Sequence, residues 1–93
     1  MRTIERTSQF KRDFKRELKG RHQNILQNEL PALLAALAED LTLETRFRDH
    51  GLTGEWTDHR DCHLRPDLVL IYRKPDSDTL QLVRLGSHSE LGL

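Results

Sequence analysis

Five ionisable side chains in the C-terminal half of the chain have the types and spacing that acid–base chemistry requires: His50, Asp61, His63, Asp67 and His88. Histidine is the side chain whose unperturbed pKa lies closest to neutrality, so it can accept or donate a proton at working pH. Four of the five histidines in the sequence fall between positions 50 and 88. We therefore expect the chemistry of this protein to lie in its C-terminal half.

The spacing of the central residues predicts that they share one face of a strand. In an extended segment, residues two apart point the same way, which groups Asp61, His63, Arg65 and Asp67 provided that Pro66 does not reverse the alternation. An acid, an imidazole, a guanidinium and a second acid are unfavourable in a core and useful around a phosphate. We expect this face to form a site.

Two histidines from outside this segment are predicted to complete the site. His50 arrives from the preceding loop, and His88 arrives from beyond an adjacent strand, four residues after Arg84. Arg84 could bind a phosphate oxygen as a supporting residue. Metal-free cleavage of RNA needs a base for the ribose 2′-OH, an acid for the leaving 5′-oxygen and a cation near the phosphorane. Two imidazoles and an arginine meet that need.

The same residues allow two other interpretations. Asp61, His63 and Asp67 could form a hydrogen-bonded turn, and their spacing alone does not decide against it. His59 and His63 also have a spacing that occurs among zinc ligands. On a strand, however, four residues span about 13 Å, which is too far for two imidazoles to bind one ion. We therefore predict that no metal is bound.

Length and composition favour one modest domain, residues 1–93. The sequence has room for a single core but not for a separate cofactor domain, so no cofactor is expected. No apolar run approaches the roughly 20 residues of a membrane span, and the first residues form no apolar signal segment. A single cysteine cannot form an internal disulfide. We expect a cytoplasmic protein that does not bind a membrane.

The N-terminal part of the chain is predicted to present a basic face. Between Arg2 and Arg21 there are eight basic and three acidic residues, a net charge of +5, although the whole chain is neutral. Such a face fits contact with nucleic acid or a ribosome, and an ordinary solvated helix surface is the alternative. The candidate contact residues are Lys11, Arg12, Lys15, Arg16 and Lys19, with Arg65 added from the strand.

Hydrophobic periodicity predicts an α+β domain of the order β-α-α-β-β-β. A strand is predicted at 3–7, followed by a helix that Thr7 or Ser8 caps and that buries every fourth residue from Phe10. The second helix, 22–39, either kinks at Pro31 or begins just before it. Such an order favours a mainly antiparallel sheet with both helices on one face. Strands are predicted over 54–65, 67–74 and 79–85, and the C-terminus forms at most one helical turn.

Three stretches of the sequence resemble the YafQ-type messenger-RNA-cleaving toxins of the RelE/ParE superfamily. They are DHGLTGEW at 49–56, RDCHLRPDLVLIY at 60–72 and RLGSHSEL at 84–91. The spacing between the stretches also resembles that of the family, and the segment from 49 to 91 covers nearly half of the chain. The combination is specific, whereas any one stretch would be weak.

This resemblance implies a RelE-like fold and a ribosome-dependent endoribonuclease that cuts translated mRNA in the ribosomal A site. It also implies a cognate antitoxin protein that holds the toxin inactive. The family's catalytic residues correspond to His50, His63, Asp67 and His88, and Asp61 corresponds to a supporting position.

One position departs from the family pattern. Gly92 follows Leu91, where the family usually has phenylalanine. An aromatic side chain there could stack on a base, a contact worth roughly 1–3 kcal/mol. We therefore expect weaker activity than in members that carry the aromatic residue.

Two other functions are compatible with a small domain of this kind. A ParE-like toxin would have the same fold and would poison DNA gyrase by binding, without cleaving RNA. A stand-alone RNA-binding domain would use the basic helix. Neither function needs several titratable groups on one face, so the histidines favour the nuclease.

Overall fold

The computed structural model describes the whole chain, residues 1–93, and shows a five-stranded sheet with three helices on one face. The strands lie in the order β1-β5-β4-β3-β2; β1 is parallel to β5, and all other pairs are antiparallel. The predicted α+β class and mainly antiparallel sheet are confirmed. The elements are β1 (Thr3–Arg6), α1 (Ser8–Leu18), α2 (Gln23–Asn28), α3 (Leu30–Ala38), β2 (His50–Gly51), β3 (Arg60–Arg65), β4 (Leu68–Arg73), β5 (Thr79–Gly86) and α4 (His88–Leu91), with 3₁₀ turns at Thr45–Phe47 and Gly54–Trp56.

Helix α1 begins where the sequence predicts. The Thr7 hydroxyl accepts a hydrogen bond from the backbone N–H of Phe10 at 3.0 Å, which caps the helix. Phe10 is buried, and Phe14 and Leu18 pack against the same core. This face attaches α1 to the sheet and leaves most of its basic residues in solvent.

The second predicted helix is in fact two helices. Helix α2 ends at Asn28, and α3 begins at Leu30 with Pro31 in its first turn. Proline has no backbone N–H to donate, so the first turn is the position that it disturbs least. None of the helices is long and apolar enough to cross a membrane.

Strand β4 is buried on both faces of the sheet. Its even-numbered residues belong to the main core beneath the three helices. Val69 and Ile71 point to the other face, where Trp56 and Leu91 pack on them. The sheet face opposite the three helices is therefore partly covered, by the second 3₁₀ turn and by α4.

Side chains of α1 complete the hydrogen bonding of β5. Strand β1 pairs with β5 only as far as Arg6, so the end of β5 has no neighbouring strand on that edge. Asp13 accepts a hydrogen bond from the backbone N–H of Leu85 at 3.0 Å, and Arg16 donates to the carbonyl of the same residue at 3.0 Å. These two contacts fix the end of β5, from which α4 follows.

Candidate active site

Three imidazole rings lie in a row on the sheet face opposite the helices. The alternation of β3 places Cys62 in the main core, so Asp61 and His63 point to this other face. Strand β2 pairs His50 with Asp61, and α4 carries His88. The ring centroids are 6.2 Å apart for His50 and His63 and 5.1 Å apart for His63 and His88. The structure thus brings the predicted histidines together.

A chain of hydrogen bonds connects Asp67, His88 and His63. The carboxylate of Asp67 accepts from the backbone N–H of His88 and from its ring Nδ1–H, each at 3.0 Å. The Nε2 atoms of His88 and His63 are 3.2 Å apart, so one of them donates and the other accepts. The hydrogen bond from the backbone N–H of His88 lowers the pKa of Asp67 most, and the hydrogen bond from the His88 ring lowers it further. An ionised Asp67 therefore fixes the ring of His88 and compensates a positive charge on it.

His63 is the buried member of the row. Its residue surface is only 8% exposed, and its Nδ1 atom has no hydrogen-bond partner. Burial lowers the pKa of His63; the charge of Asp61 opposes this effect, and the neighbouring His88 adds to it. The ring is therefore neutral at pH 7, and its Nε2 can accept a hydrogen bond from His88.

His50 is the exposed member of the row. Its Nδ1–H donates to the backbone carbonyl of Arg48 at 2.7 Å. This contact fixes the tautomer in which Nε2 carries a lone pair, and the ring stacks on that of His63 at an interplanar angle of 18°. The exposed Nε2 can accept a proton from a substrate.

Asp61 lies beneath the row and is almost fully buried. Its Oδ1 is 3.0 Å from His50 Nδ1, but the ring N–H points to the Arg48 carbonyl, so Oδ1 receives no hydrogen bond. Burial raises the pKa of Asp61, and the charges of the three imidazoles counter this only in part. The carboxylate thus acts on the site through its charge, as a supporting residue.

We expect the substitution Asp61→Asn to remove a pH dependence of stability. The pKa of Asp61 is higher in the folded state than the ordinary value of 3.8, so the folded state holds a proton that the unfolded state releases. The stabilisation from this proton is complete below pH 3.8 and is lost as the pH rises through the folded pKa. Urea unfolding between pH 4 and 7 should show the variant gaining stability relative to the parent. If the free energy of unfolding changes with pH in the same way for the parent and for Asp61→Asn, this account is wrong. The matched control is Glu5→Gln, which neutralises an exposed acid.

The short helix α4 is held by its own N-terminal cap. Ser87 accepts a hydrogen bond from the backbone N–H of Glu90 at 3.2 Å, and Glu90 accepts from the backbone N–H of Ser87 at 3.0 Å. This capping box was not predicted from the sequence, although its Ser-x-x-Glu pattern is visible there. It fixes the backbone at His88.

Two arginines assigned to RNA or the ribosome are engaged within the fold. Arg84 donates to the buried Asp13 at 2.7 Å, so, contrary to the prediction, its guanidinium is not free for a phosphate. Arg16 also contacts Asp13, at 3.1 Å, and lies 3.3 Å from Glu90. These contacts, together with the hydrogen bond from Arg16 to the Leu85 carbonyl, hold the end of β5. We therefore no longer count Arg16 among the residues that contact the ribosome.

Arg65 does not share the face of Asp61 and His63. The pairing of β3 with β4 shifts in register between His63 and Arg65, which forms a bulge. The guanidinium of Arg65 then turns towards the helix layer and donates to Glu29 at 2.9 Å. The strict alternation predicted for this segment therefore ends at His63.

Arg48 is a residue that the sequence analysis missed. Its backbone has φ 49° and ψ 43°, a left-handed conformation that stops the first 3₁₀ turn and directs its carbonyl to His50. It lies in a segment without periodicity, so no pattern in the sequence pointed to it. The orientation of His50 nevertheless depends on this carbonyl.

Gly92 ends α4 in the left-handed conformation, with φ 72°. A Cβ atom there would meet nothing within 4 Å, so space does not exclude a side chain. The backbone disfavours one, since a residue other than glycine in the left-handed conformation costs roughly 1–2 kcal/mol. Phenylalanine at this position would therefore fit in space but strain the end of α4.

The histidine row does not have the arrangement of a metal centre. No group of three or more His, Cys, Asp or Glu side chains gathers in a geometry that could hold an ion. The Nε2 atoms of His63 and His88 contact each other, and Nδ1 of His50 contacts a backbone carbonyl. The two side-chain atoms of this site that are buried without a hydrogen-bond partner are His63 Nδ1 and Asp61 Oδ1.

Comparison with known proteins places this site in context. The family model described as "Bacterial toxin of type II toxin-antitoxin system, YafQ" matches residues 2–92. The mRNA interferase toxin YafQ of Escherichia coli K12 is 37% identical over 91 residues, which cover 97% of this chain and 95% of the relative.

Two solved structures illustrate the similarity of the fold. A copper-bound mutant toxin from Helicobacter pylori superimposes with a TM-score of 0.84 at 38% identity, covering 98% of this chain and 99% of that one. A toxin chain in a DinJ-YafQ complex from E. coli has a TM-score of 0.81 at 36% identity, covering 98% of each chain.

Proposed function

Because this chain belongs to the YafQ family of bacterial type II toxins, we propose that it is an mRNA interferase that cleaves translated messages by acid–base catalysis. The observation that carries the proposal is the hydrogen-bonded chain of Asp67, His88 and His63, with His50 stacked beside it. A carboxylate and three imidazoles thus stand next to one another at an accessible margin of the sheet.

We assign the general acid to His88. Its ring is half exposed and is held at Nδ1 by an ionised carboxylate, so Nε2 can carry the transferable proton. In the free protein this Nε2–H donates to the neutral His63. During cleavage the leaving 5′-oxygen takes the place of His63 as acceptor, and the positive charge on His88 stabilises the phosphorane until the proton moves.

We assign the general base to His50. The attacking 2′-oxygen and the leaving 5′-oxygen lie on opposite sides of the phosphorus, so the base cannot be the nitrogen that already contacts the acid. His63 Nε2 makes that contact, whereas His50 Nε2 is exposed and has no partner. His63 then serves as the neutral ring that holds the acid in place between turnovers. In this proposal both proton transfers are carried out by side chains of the protein, without a metal ion.

We propose that translating ribosomes present the message to this site, in the decoding A site. Four basic residues on the outer face of α1 are exposed and form no ion pair, as contact with ribosomal RNA would require. They are Lys11, Arg12, Lys15 and Lys19. A cytoplasmic location follows from this target, and the E. coli complex with DinJ supports a cognate antitoxin as the second partner.

The triple variant Lys11→Gln, Arg12→Gln and Lys15→Gln should bind ribosomes more weakly. Each neutralised phosphate contact contributes about 0.7 to 0.9 to the slope of log affinity against log salt, so the slope should flatten by about 2. Ribosome pelleting at several KCl concentrations measures it. The charge-preserving triple Lys11→Arg, Arg12→Lys and Lys15→Arg should behave as the parent. If the neutralised variant keeps the parent's slope, α1 is an ordinary solvated helix.

Mapping of message ends separates this function from gyrase poisoning. The chain is expressed beside a reporter gene, and the 5′ ends of the reporter message are mapped. A nuclease produces new 5′ ends within the coding region, whereas a gyrase poison produces DNA breaks and leaves the message intact. Intact messages together with growth arrest would refute the proposal.

A further inference from the structure

A hollow of about 220 Å³ beside His63 is lined by three guanidinium groups and no carboxylate. A recess lined by one sign of charge concentrates ions of the opposite sign. The hollow adjoins the buried ring of the histidine row, so an anion bound in it would lie next to the proposed chemistry. Its lining residues are Arg46, Arg48, His63, Leu64, Arg65 and Pro66.

The three arginines differ in how far the protein neutralises them. Arg46 pairs with Glu44 at 3.1 Å, and Arg65 pairs with Glu29 at 2.9 Å. Arg48 is exposed and its side chain forms no ion pair and no hydrogen bond within the chain. Its charge is therefore available to a ligand.

The backbone at Arg48 gives no reason for an arginine. A left-handed φ of 49° favours glycine, because the Cβ atom of any other residue crowds the following carbonyl oxygen, and next asparagine or aspartate, whose short polar side chains form local hydrogen bonds. The hydrogen bond to His50 uses only the Arg48 carbonyl, which any residue would supply. Strained backbone conformations occur most often at functional sites, where the side chain of the strained residue contributes to the function.

We propose that Arg48, together with Arg46 and Arg65, binds a phosphodiester of the RNA strand next to the scissile one. The inference rests on the proposed ribonuclease function and names a binding subsite for its substrate. Guanidinium groups offer paired N–H donors that match phosphate oxygens. Arg84 is bound to Asp13, whereas these three arginines line the hollow beside His63.

The test uses the substitution Arg48→Asn, which removes the guanidinium and tolerates the left-handed backbone. The probe is a mixed-sequence 2′-O-methyl RNA octamer, which has no free 2′-OH and cannot be cleaved. The variant should bind it about 5- to 10-fold more weakly than the parent at low salt. Its slope of log affinity against log salt should fall by about 0.7, the contribution of one phosphate contact on a single strand.

Two matched variants separate charge from backbone effects. Arg48→Lys keeps the charge and should retain the parent's salt slope. Asp58→Gly relieves another left-handed residue, with φ 70°, and should leave octamer binding unchanged. Thermal unfolding of Arg48→Asn should give a midpoint equal to or above that of the parent, since the strain is reduced.

Each outcome decides between the subsite and its absence. If Arg48→Asn binds the octamer with the parent's affinity and salt slope, or if the parent does not bind it, the subsite does not exist. If only the cleavage rate at saturation falls, Arg48 acts in the chemistry and the binding assignment is wrong. If octamer binding depends on Arg48 but the parent cleaves no message, the subsite stands and the proposed ribonuclease function fails.

Discussion

Replacing His88 with alanine is expected to slow message cleavage about 100-fold or more, the usual contribution of a general acid. The variant loses the proton donor at the leaving oxygen and the positive charge that Asp67 holds in place. Its affinity for ribosomes should change little, because the proposed docking face lies on α1. Single-turnover cleavage in a translation reaction measures the effect.

The companion variant Asp67→Asn tests how His88 is held. It keeps the shape of the side chain and removes the charge that compensates an imidazolium, so cleavage should slow by a smaller factor. If His88→Ala cleaves as fast as the parent, the assignment of the acid is wrong.

Replacing Asp13 with alanine is expected to lower the free energy of unfolding by about 3–5 kcal/mol, the range for removing one partner of a buried ion pair. Asp13 is 4% exposed and accepts hydrogen bonds from Arg84, Arg16 and the backbone of Leu85. Alanine removes the acceptor of the buried Leu85 N–H and the charge that faces the partly buried Arg84, whereas the exposed Arg16 can turn to solvent. Urea unfolding at pH 7 measures the loss.

Two controls define the origin of this stability. Asp13→Asn keeps one acceptor oxygen and should lose less than the alanine variant. Glu5→Ala removes an exposed acid without a partner and should change stability by no more than about 0.5 kcal/mol. A loss below about 1 kcal/mol for Asp13→Ala would mean that α1 does not hold the end of β5.

The pH dependence of this stability follows from the pKa of Asp13. Burial alone would raise that pKa, but the hydrogen bonds from Arg84 and Leu85 and the charges of both arginines lower it below 3.8. The contribution is therefore complete above pH 4 and is lost as the pH falls through the folded pKa. Its sign is opposite to that of Asp61, and its pH range is different: the contribution of Asp13 is lost as the pH falls below 3.8, whereas that of Asp61 is lost as the pH rises above it.

The fold and the histidine row were largely predictable from the sequence. Alternation in β3 gives the face of Asp61 and His63 because the strand is regular up to that point. The split between α2 and α3 follows from the position of Pro31. The β-hairpin of β4 and β5 follows from the turn residues between them.

The roles of the arginines were not predictable in the same way. Arg65 leaves the expected face because a bulge breaks the alternation directly before Pro66, and the sequence names that proline as a possible break without showing that one occurs. Strand β1 pairs with β5 only as far as Leu82, so α1 packs beside the end of β5 and Asp13 reaches Arg84. This contact depends on how the elements pack, which the sequence pattern does not show. One signal was present: Asp13 lies three residues after Phe10, on the buried stripe of α1.

The most direct test of the central claim is a reconstituted translation reaction with the purified protein and mapped 5′ ends. Two messages are compared, identical except that one lacks its start codon and is not translated. The account predicts new 5′ ends inside the coding region of the translated message only, and their loss with His88→Ala. Equal cleavage of both messages, or undiminished cleavage by His88→Ala, would contradict it.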